Sequence, residues 1–213
     1  MGNDIKEPKI KNILSKVENL PFFSLDDLLP IETNRTYLKT LLSRYERAGK
    51  ITRLKKGIYT MKTAFSSDYT EFVACSLYSP SYLSLEYCLY YYNILTEIPV
   101  SFTLITKKKT MRLFNKLGRF FYHKIKTELF CGFNVEEVYG LYIFKATKAK
   151  ALFDFLYLRK NMLTDEKSVL ELRLNLSNIN KKDMVEFEKY VRIDGSKKMR
   201  FLFVHLNTLW KHI

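Results

Sequence analysis

Residues 34–61, NRTYLKTLLSRYERAGKITRLKKGIYTM, determine the fold expected for the amino-terminal part of the chain. Four apolar residues in the first half recur at the spacing of one helical stripe: Leu38, Leu41, Leu42 and Tyr45. This stripe predicts a helix from Thr33 or Asn34 to a stop at Ala48 and Gly49, because glycine readily adopts the conformation that ends helices. At about 100° per residue, four polar or basic residues point away from the stripe: Thr36, Thr40, Ser43 and Arg47.

The second half of this stretch has the pattern of a β-hairpin. Residues 51–54 and 58–61 are rich in β-forming side chains and flank a basic tip that contains Gly57. Upstream, residues 9–18 carry apolar residues at helical spacing, which predicts a first helix. Ser24 and Asp27 resemble a capping box, which predicts a short second helix that ends at Pro30. Three helices followed by a basic hairpin is the order of a winged helix-turn-helix.

The third helix and the hairpin carry the residue types that duplex DNA requires. Recognition helices present short polar side chains to base edges and longer cations to phosphates. The predicted base contacts lie on the first turn of the helix: Asn34, Arg35, Thr36 and Tyr37. Thr40, on the same outward face, is also a predicted DNA-binding residue. The predicted phosphate contacts from the helix are Lys39, Arg44 and Arg47. The hairpin cations Arg53, Lys55 and Lys56 would reach the DNA backbone or the adjacent minor groove. Solvation explains one basic helix face equally well, so the hypothesis depends on the helix order, the basic face and the basic hairpin together.

Composition restricts the partners of the whole chain. Its 213 residues are 47% hydrophobic and carry a formal net charge of +14, which favours polyanions such as DNA, RNA or an anionic membrane. No apolar run reaches the roughly 18 to 20 residues of a spanning helix. The amino terminus has no apolar signal segment, so we expect a cytoplasmic protein without a membrane partner. Cys75, Cys88 and Cys131 lack a paired spacing and the histidines are scattered, so we expect core cysteines and no metal or cofactor.

The longer remainder of the chain alternates helical and strand-like patterns. The helical patterns cover residues 68–78, 84–92, 147–159, 181–191 and 198–210. Ser84 is the expected cap of the second of these helices. Strand-like patterns cover residues 100–106, 118–125 and 141–145. With a polar linker predicted at 63–67, the expected fold class is α+β: a winged helix-turn-helix in residues 1–65, then a mixed α+β domain in residues 66–213.

The chain resembles the AbiEi family, the antitoxins and transcriptional regulators of type IV toxin-antitoxin (abortive infection) systems. In the first domain the similar stretches are 23–28 (FSLDDL) and 49–59 (GKITRLKKGIY). In the second they are 82–92 (YLSLEYCLYYY), 102–109 (FTLITKKK), 117–126 (LGRFFYHKIK), 128–130 (ELF) and 146–157 (ATKAKALFDFLY). The order and spacing of these stretches carry the resemblance.

The resemblance implies a two-domain antitoxin that takes part in phage defence. Its winged helix would bind double-stranded DNA at repeats in its own promoter and act as a repressor. Its second domain would oppose a nucleotidyltransferase toxin, with or without physical contact between the two proteins. Lys148 and Lys150 stand where an acidic residue is expected in the family, so no residue role is carried over within that helix.

Hypotheses of enzymatic activity depend on weaker motifs. Asp165 and Lys167 fit a bare acid-x-Lys pattern, and Asp154 could supply a second carboxylate for a metal-dependent nuclease. Such a tripeptide arises often by chance in a chain with 27% charged residues. The sequence has no P-loop, nucleophile elbow or nucleotidyltransferase motif, so we expect a non-enzymatic protein. The alternative is a winged-helix regulator with no toxin partner, whose second domain serves dimerisation or ligand sensing.

A second group of cations follows in the α+β domain. Its members are Lys107, Lys108, Lys109, Arg112, Lys116, Arg119, Lys124 and Lys126. These residues would suit an extended DNA footprint, RNA or an acidic protein partner. An ordinary exposed strand face explains them equally well.

Overall fold

The computed structural model describes residues 14–212, which form two compact units. The first unit comprises the described residues through Thr70 together with Phe114–Gly118. The second comprises Glu71–Leu113 and the described residues from Arg119 onwards. The boundary between the two units falls after Thr70, within the helix Ser67–Leu77 and a few residues after the polar segment 63–67.

The first unit contains helix α1 (Arg35–Arg47) and a three-stranded antiparallel sheet. The strands are β1 (Phe23–Ser24), β2 (Thr52–Lys55) and β3 (Ile58–Thr60), in the order β1-β3-β2. Strand β3 therefore pairs on both sides, with Ser24 opposite Ile58 and Thr52 opposite Thr60. The helix and the hairpin that residues 34–61 predict are confirmed.

Local chemistry determines both ends of α1. The Asn34 side chain accepts a hydrogen bond from the Tyr37 backbone N–H at 3.0 Å, which satisfies a donor that the first turn would otherwise leave unpaired. At the other end, Gly49 has a φ of +70°, a left-handed conformation that a Cβ would disfavour. The apolar stripe enters the core of the unit, which contains Leu14, Val17, Phe23, Leu28, Leu38, Leu41, Leu42 and Ile51.

The segment before α1 differs from the sequence expectation. Residues 9–13 of the predicted first helix lie outside the described residues, and in the rest of it only residues 14 and 15 are helical. The predicted second helix is wrong: a single 3-10 turn, Asp26–Leu28, stands in its place. The reason is that Phe23–Ser24 pairs with β3, which leaves too few residues before Pro30 for a regular helix. The capping contact itself forms, because Asp27 Oδ2 accepts the Ser24 backbone N–H at 2.6 Å.

A six-stranded mixed sheet organises the second unit. Its strands are β4 (Ser81–Leu83), β5 (Phe102–Thr106), β6 (Met111–Asn115), β7 (Gly118–Lys124), β8 (Phe133–Val138) and β9 (Leu141–Ala146). Their order is β6-β7-β5-β4-β9-β8, in which β5 is parallel to β7 and β4 is parallel to β9. The end of the β6–β7 hairpin, Phe114–Gly118, groups with the first unit.

The helices that accompany this sheet confirm the α+β class. They are α2 (Ser67–Leu77), α3 (Leu85–Tyr91), α4 (Lys148–Arg159), α5 (Glu166–Leu170), α6 (Lys181–Asp194) and α7 (Lys197–Lys211). Helix α2 begins in the first unit and ends in the second. No helix between residues 14 and 212 is both long and apolar enough to cross a membrane.

A buried ion pair lies on α4 inside the second unit. Lys150 and Asp154 are completely buried, and the Lys150 ammonium donates to Asp154 Oδ1. Asp154 Oδ2 also accepts from Ser84 Oγ at 2.8 Å and from Tyr82 Oη at 3.0 Å. Burial raises the pKa of Asp154, and these three donors oppose that rise. Ser84 is the capping residue of α3, as expected, but its side chain makes no capping hydrogen bond, because its hydroxyl donates to this carboxylate instead.

Candidate nucleic-acid interface

A groove of about 480 Å³ lies in the first unit between α1 and the β2–β3 hairpin. Arg35 and Lys39 line it from the helix, and Arg53 and Lys56 line it from the hairpin. Asp26, on the 3-10 turn, is the one carboxylate among the described lining residues. The groove is therefore a concave surface with four cations and one anion, and such a surface attracts a polyanion.

Strand geometry brings the hairpin cations to this surface. Successive side chains of a strand point to opposite faces, so Leu54 enters the core while its neighbour Arg53 is exposed. Lys56 and Gly57 form the turn, where Gly57 has a φ of +80°. A Cβ at that position would meet nothing within 4 Å, so glycine is required there for its backbone conformation alone.

An ion pair lies at the helix end of the groove. Arg35 Nη2 lies 2.7 Å from Asp26 Oδ1, and the two side chains are 59% and 71% exposed. An exposed pair of this kind contributes about 0–1 kcal/mol to stability. It places the Arg35 guanidinium beside Asp26, at the start of α1.

Some of the predicted contact residues line the groove, and the others lie outside it. Arg35, Lys39, Arg53 and Lys56 line it. The remaining predicted residues lie elsewhere on α1 or the hairpin: Asn34, Thr36, Thr40, Arg44 and Arg47, which are exposed, and Tyr37 and Lys55, which are half-buried. Thr40 Oγ1 donates to the Thr36 carbonyl at 3.0 Å, so that hydroxyl offers a partner its acceptor side.

Sequence reasoning missed Asp26 as a member of this site. Nine positions separate it from Arg35, and the contact exists because the 3-10 turn lies beside the start of α1. No spacing rule for helices or strands brings residues that far apart into contact.

The second group of cations is exposed throughout. Lys107 lies 5.3 Å from the Phe130 ring centroid and Lys108 lies 5.2 Å from that of Tyr78, distances typical of cation–π contacts. Lys126 Nζ lies 3.3 Å from Asp194 Oδ1, so part of its charge is already compensated. Lys116 belongs to the segment that groups with the first unit. The others of the group, Lys109, Arg112, Arg119 and Lys124, lie in the second unit.

The two aspartates of the nuclease hypothesis have other roles in the structure. Asp154 is buried and engaged by Lys150, whereas Asp165 caps α5 by accepting the Ser168 backbone N–H at 2.7 Å. Among residues 14–212, no group of three or more histidine, cysteine, aspartate or glutamate residues could hold a metal ion. Cys75 and Cys88 are buried, and burial raises the pKa of the Cys75 thiol to about 12.

No protein-family model matches the chain, and no curated protein matches it significantly. A functional assignment therefore depends on the groove and on the resemblance of the sequence.

Proposed function

We propose that this chain is a DNA-binding repressor whose first unit is a winged helix-turn-helix, and that it serves as the antitoxin of a type IV toxin-antitoxin system. The observation that best supports DNA binding is the basic groove between α1 and the hairpin. The antitoxin role is supported by the resemblance of residues 82–157 to the AbiEi family. Such a protein would act in the cytoplasm, without enzymatic activity of its own, against a nucleotidyltransferase toxin.

The order of elements in the first unit supports the winged-helix proposal. A short strand, a 3-10 turn and helix α1 precede the β2–β3 hairpin, and the first strand pairs with β3. In this arrangement α1 is the recognition helix and the hairpin is the wing. The single 3-10 turn takes the place of the helix that usually precedes the recognition helix.

The same geometry suggests how a duplex would be bound. The major groove is about 12 Å wide and accepts one helix, so the exposed face of α1 with Thr36 and Thr40 would meet base edges. One sugar-phosphate strand would then follow the basic groove between the helix and the wing. Lys39, Arg53 and Lys56 would neutralise its phosphates, which makes the affinity dependent on salt.

Replacing Lys39 and Lys56 together with alanine is expected to weaken binding to every duplex to a similar degree. Each neutralised phosphate contributes about 0.9 to the slope of log affinity against log salt, so the double variant should lower that slope by about 2. Fluorescence anisotropy with a labelled duplex, between roughly 50 and 200 mM salt, measures the slope. The matched control is Lys182→Ala with Lys189→Ala, which removes two exposed lysines from α6.

An equal loss in the control would show that net charge alone accounts for binding. Failure of the unaltered chain to bind duplex DNA at low salt would exclude the proposed DNA-binding function.

The antitoxin role predicts a toxic partner encoded beside this gene. A neighbouring nucleotidyltransferase reading frame should arrest growth when it is expressed alone and become harmless when this chain is co-expressed. Cell growth after induction of each gene measures the effect. Unchanged toxicity in the presence of this chain would favour the regulator without a toxin partner.

A further inference from the structure

Asp26 places a negative charge within a groove that otherwise carries cations. Its carboxylate lies 2.7 Å from Arg35 Nη2 and is 71% exposed. Arg35 is the first residue of α1, immediately after the capping residue Asn34. The ion pair is therefore located at the end of the recognition helix that would enter the major groove.

The Asp26 carboxylate disfavours a phosphate near Arg35 but does not disfavour an uncharged base edge there. A phosphate that approached the Arg35 end of the groove would be repelled by Asp26, since two anions would share one site. The edge of a guanine carries no net charge and offers the N7 and O6 acceptors, which an arginine binds through two N–H groups. Arg35 has five N–H donors, and the contact with Asp26 Oδ1 engages the Nη2 group.

The position of the Arg35 side chain beside Asp26 also favours a base contact over a phosphate contact. An arginine side chain loses rotamer freedom when it binds, so fixing it beforehand reduces the entropy lost on association. Lys39, Arg53 and Lys56 have no carboxylate beside them among the described lining residues of the groove, which leaves them to the phosphates.

We propose that Asp26 is a positioning residue that determines specificity: it holds Arg35 toward a guanine edge in the major groove and keeps Arg35 from binding a phosphate. This inference rests on the proposed DNA-binding function. It divides the groove into a base-reading end at Arg35 and a phosphate-binding end at Lys39, Arg53 and Lys56.

Asp26→Asn tests the inference because asparagine keeps the size of the side chain and removes its charge. A phosphate that approached Arg35 would then no longer be repelled. Affinity for a scrambled duplex should rise, and its salt slope should steepen by about 1. The preference for a specific duplex over the scrambled one should fall roughly tenfold, because part of a bidentate base contact is lost.

The experiment uses the full chain and two duplexes. One duplex is selected by the unaltered chain from a random library, and the other is a scrambled sequence of the same composition. Anisotropy titrations across a salt series then give both affinities for the unaltered chain, Asp26→Asn, Arg35→Lys and the double variant. Glu46→Gln, which removes a carboxylate from α1 outside the described lining of the groove, is the matched control.

If Asp26 acts through Arg35, Asp26→Asn should not lower the preference further in the Arg35→Lys background, where the guanidinium fork is absent. Circular dichroism verifies that each variant is folded. An unchanged preference in Asp26→Asn, or equal tightening of both duplexes, would overturn the inference while leaving DNA binding intact. The inference would also be overturned if selection from the random library enriched no sequence although the unaltered chain binds DNA. Absence of binding to either duplex by the unaltered chain would remove the proposed function, and the inference with it.

Discussion

Asp154→Ala is expected to lower the free energy of unfolding of the second unit by about 3–5 kcal/mol, because it leaves the buried Lys150 ammonium without a counter-charge. Both side chains are completely buried, so the uncompensated ammonium would remain out of contact with bulk water. The hydroxyls of Ser84 and Tyr82 would lose their shared acceptor as well. Urea unfolding followed by tryptophan fluorescence measures the change, since the single tryptophan, Trp210, lies on α7 of this unit.

Two further variants distinguish a buried charge from a generic loss of packing. Asp165→Ala removes an exposed aspartate that caps α5, and it should cost only about 1 kcal/mol. Asp154→Asn combined with Lys150→Met removes both charges and keeps an acceptor for the two hydroxyls, so it should be less destabilising than Asp154→Ala. The remaining cost is that of the buried amide N–H groups, which lack an acceptor. If Asp154→Ala were no more destabilising than Asp165→Ala, the buried pair would not contribute as described.

The elements that the sequence predicts well are those with a strong local signal. Helix α1 has a capping asparagine, a continuous leucine stripe and a terminal glycine, and all three act within a few residues of one another. The β2–β3 hairpin likewise follows from two short β-forming runs around Gly57. The same locality made most of the helices in the second unit predictable.

The missed strands have weak β signals of their own and depend on their partners in the sheet. Strand β4 has only three residues, and its two neighbours in the sheet, β5 and β9, come later in the chain. Strand β8, which reads FNVEEV, is rich in residues that strands usually disfavour, and its pairing with β9 compensates for that preference. Strand β6 lies at the edge of the sheet and mixes charged and apolar residues. In each case the tertiary partner, rather than local propensity, determines the conformation.

The charge of the candidate site could be predicted from the sequence, but the arrangement of its side chains could not. Periodicity alone placed Thr36, Thr40 and Arg47 on the outer face of α1. The pairing of Asp26 with Arg35 required the position of the 3-10 turn, which the sequence pattern assigned to a helix. Lys150 shows the same limit, since the sequence pattern gave no indication that its ammonium pairs with Asp154, one helical turn away.

Gly132→Ala is expected to destabilise the second unit by roughly 2–5 kcal/mol, from two additive causes. Gly132 has a φ of +75°, a conformation that costs a residue with a Cβ about 1–2 kcal/mol. A Cβ there would also lie 2.0 Å from Tyr190 Oη and 2.7 Å from its Cζ. Overpacking of this kind costs about 1–3 kcal/mol.

Neither side of this contact can move freely. The Gly132 carbonyl accepts the Thr147 backbone N–H at 3.0 Å, which fixes the backbone at the start of α4. The Tyr190 hydroxyl donates to Glu186 Oε1 at 2.6 Å, and its ring centroid lies 5.3 Å from the Lys150 ammonium. A shift of the tyrosine would therefore weaken contacts of the buried lysine, which links this prediction to the ion pair on α4.

Gly140→Ala separates the two causes. Gly140 has a φ of +76°, and a Cβ there would meet nothing within 4 Å, so only the conformational cost of about 1–2 kcal/mol should appear. The difference between the two alanine variants in urea unfolding then measures the clash with Tyr190. Adding Tyr190→Phe to Gly132→Ala removes the nearest atom and should recover part of that difference. Equal destabilisation by Gly132→Ala and Gly140→Ala would mean that the tyrosine relaxes without cost, and that the packing around Lys150 is looser than the distances indicate.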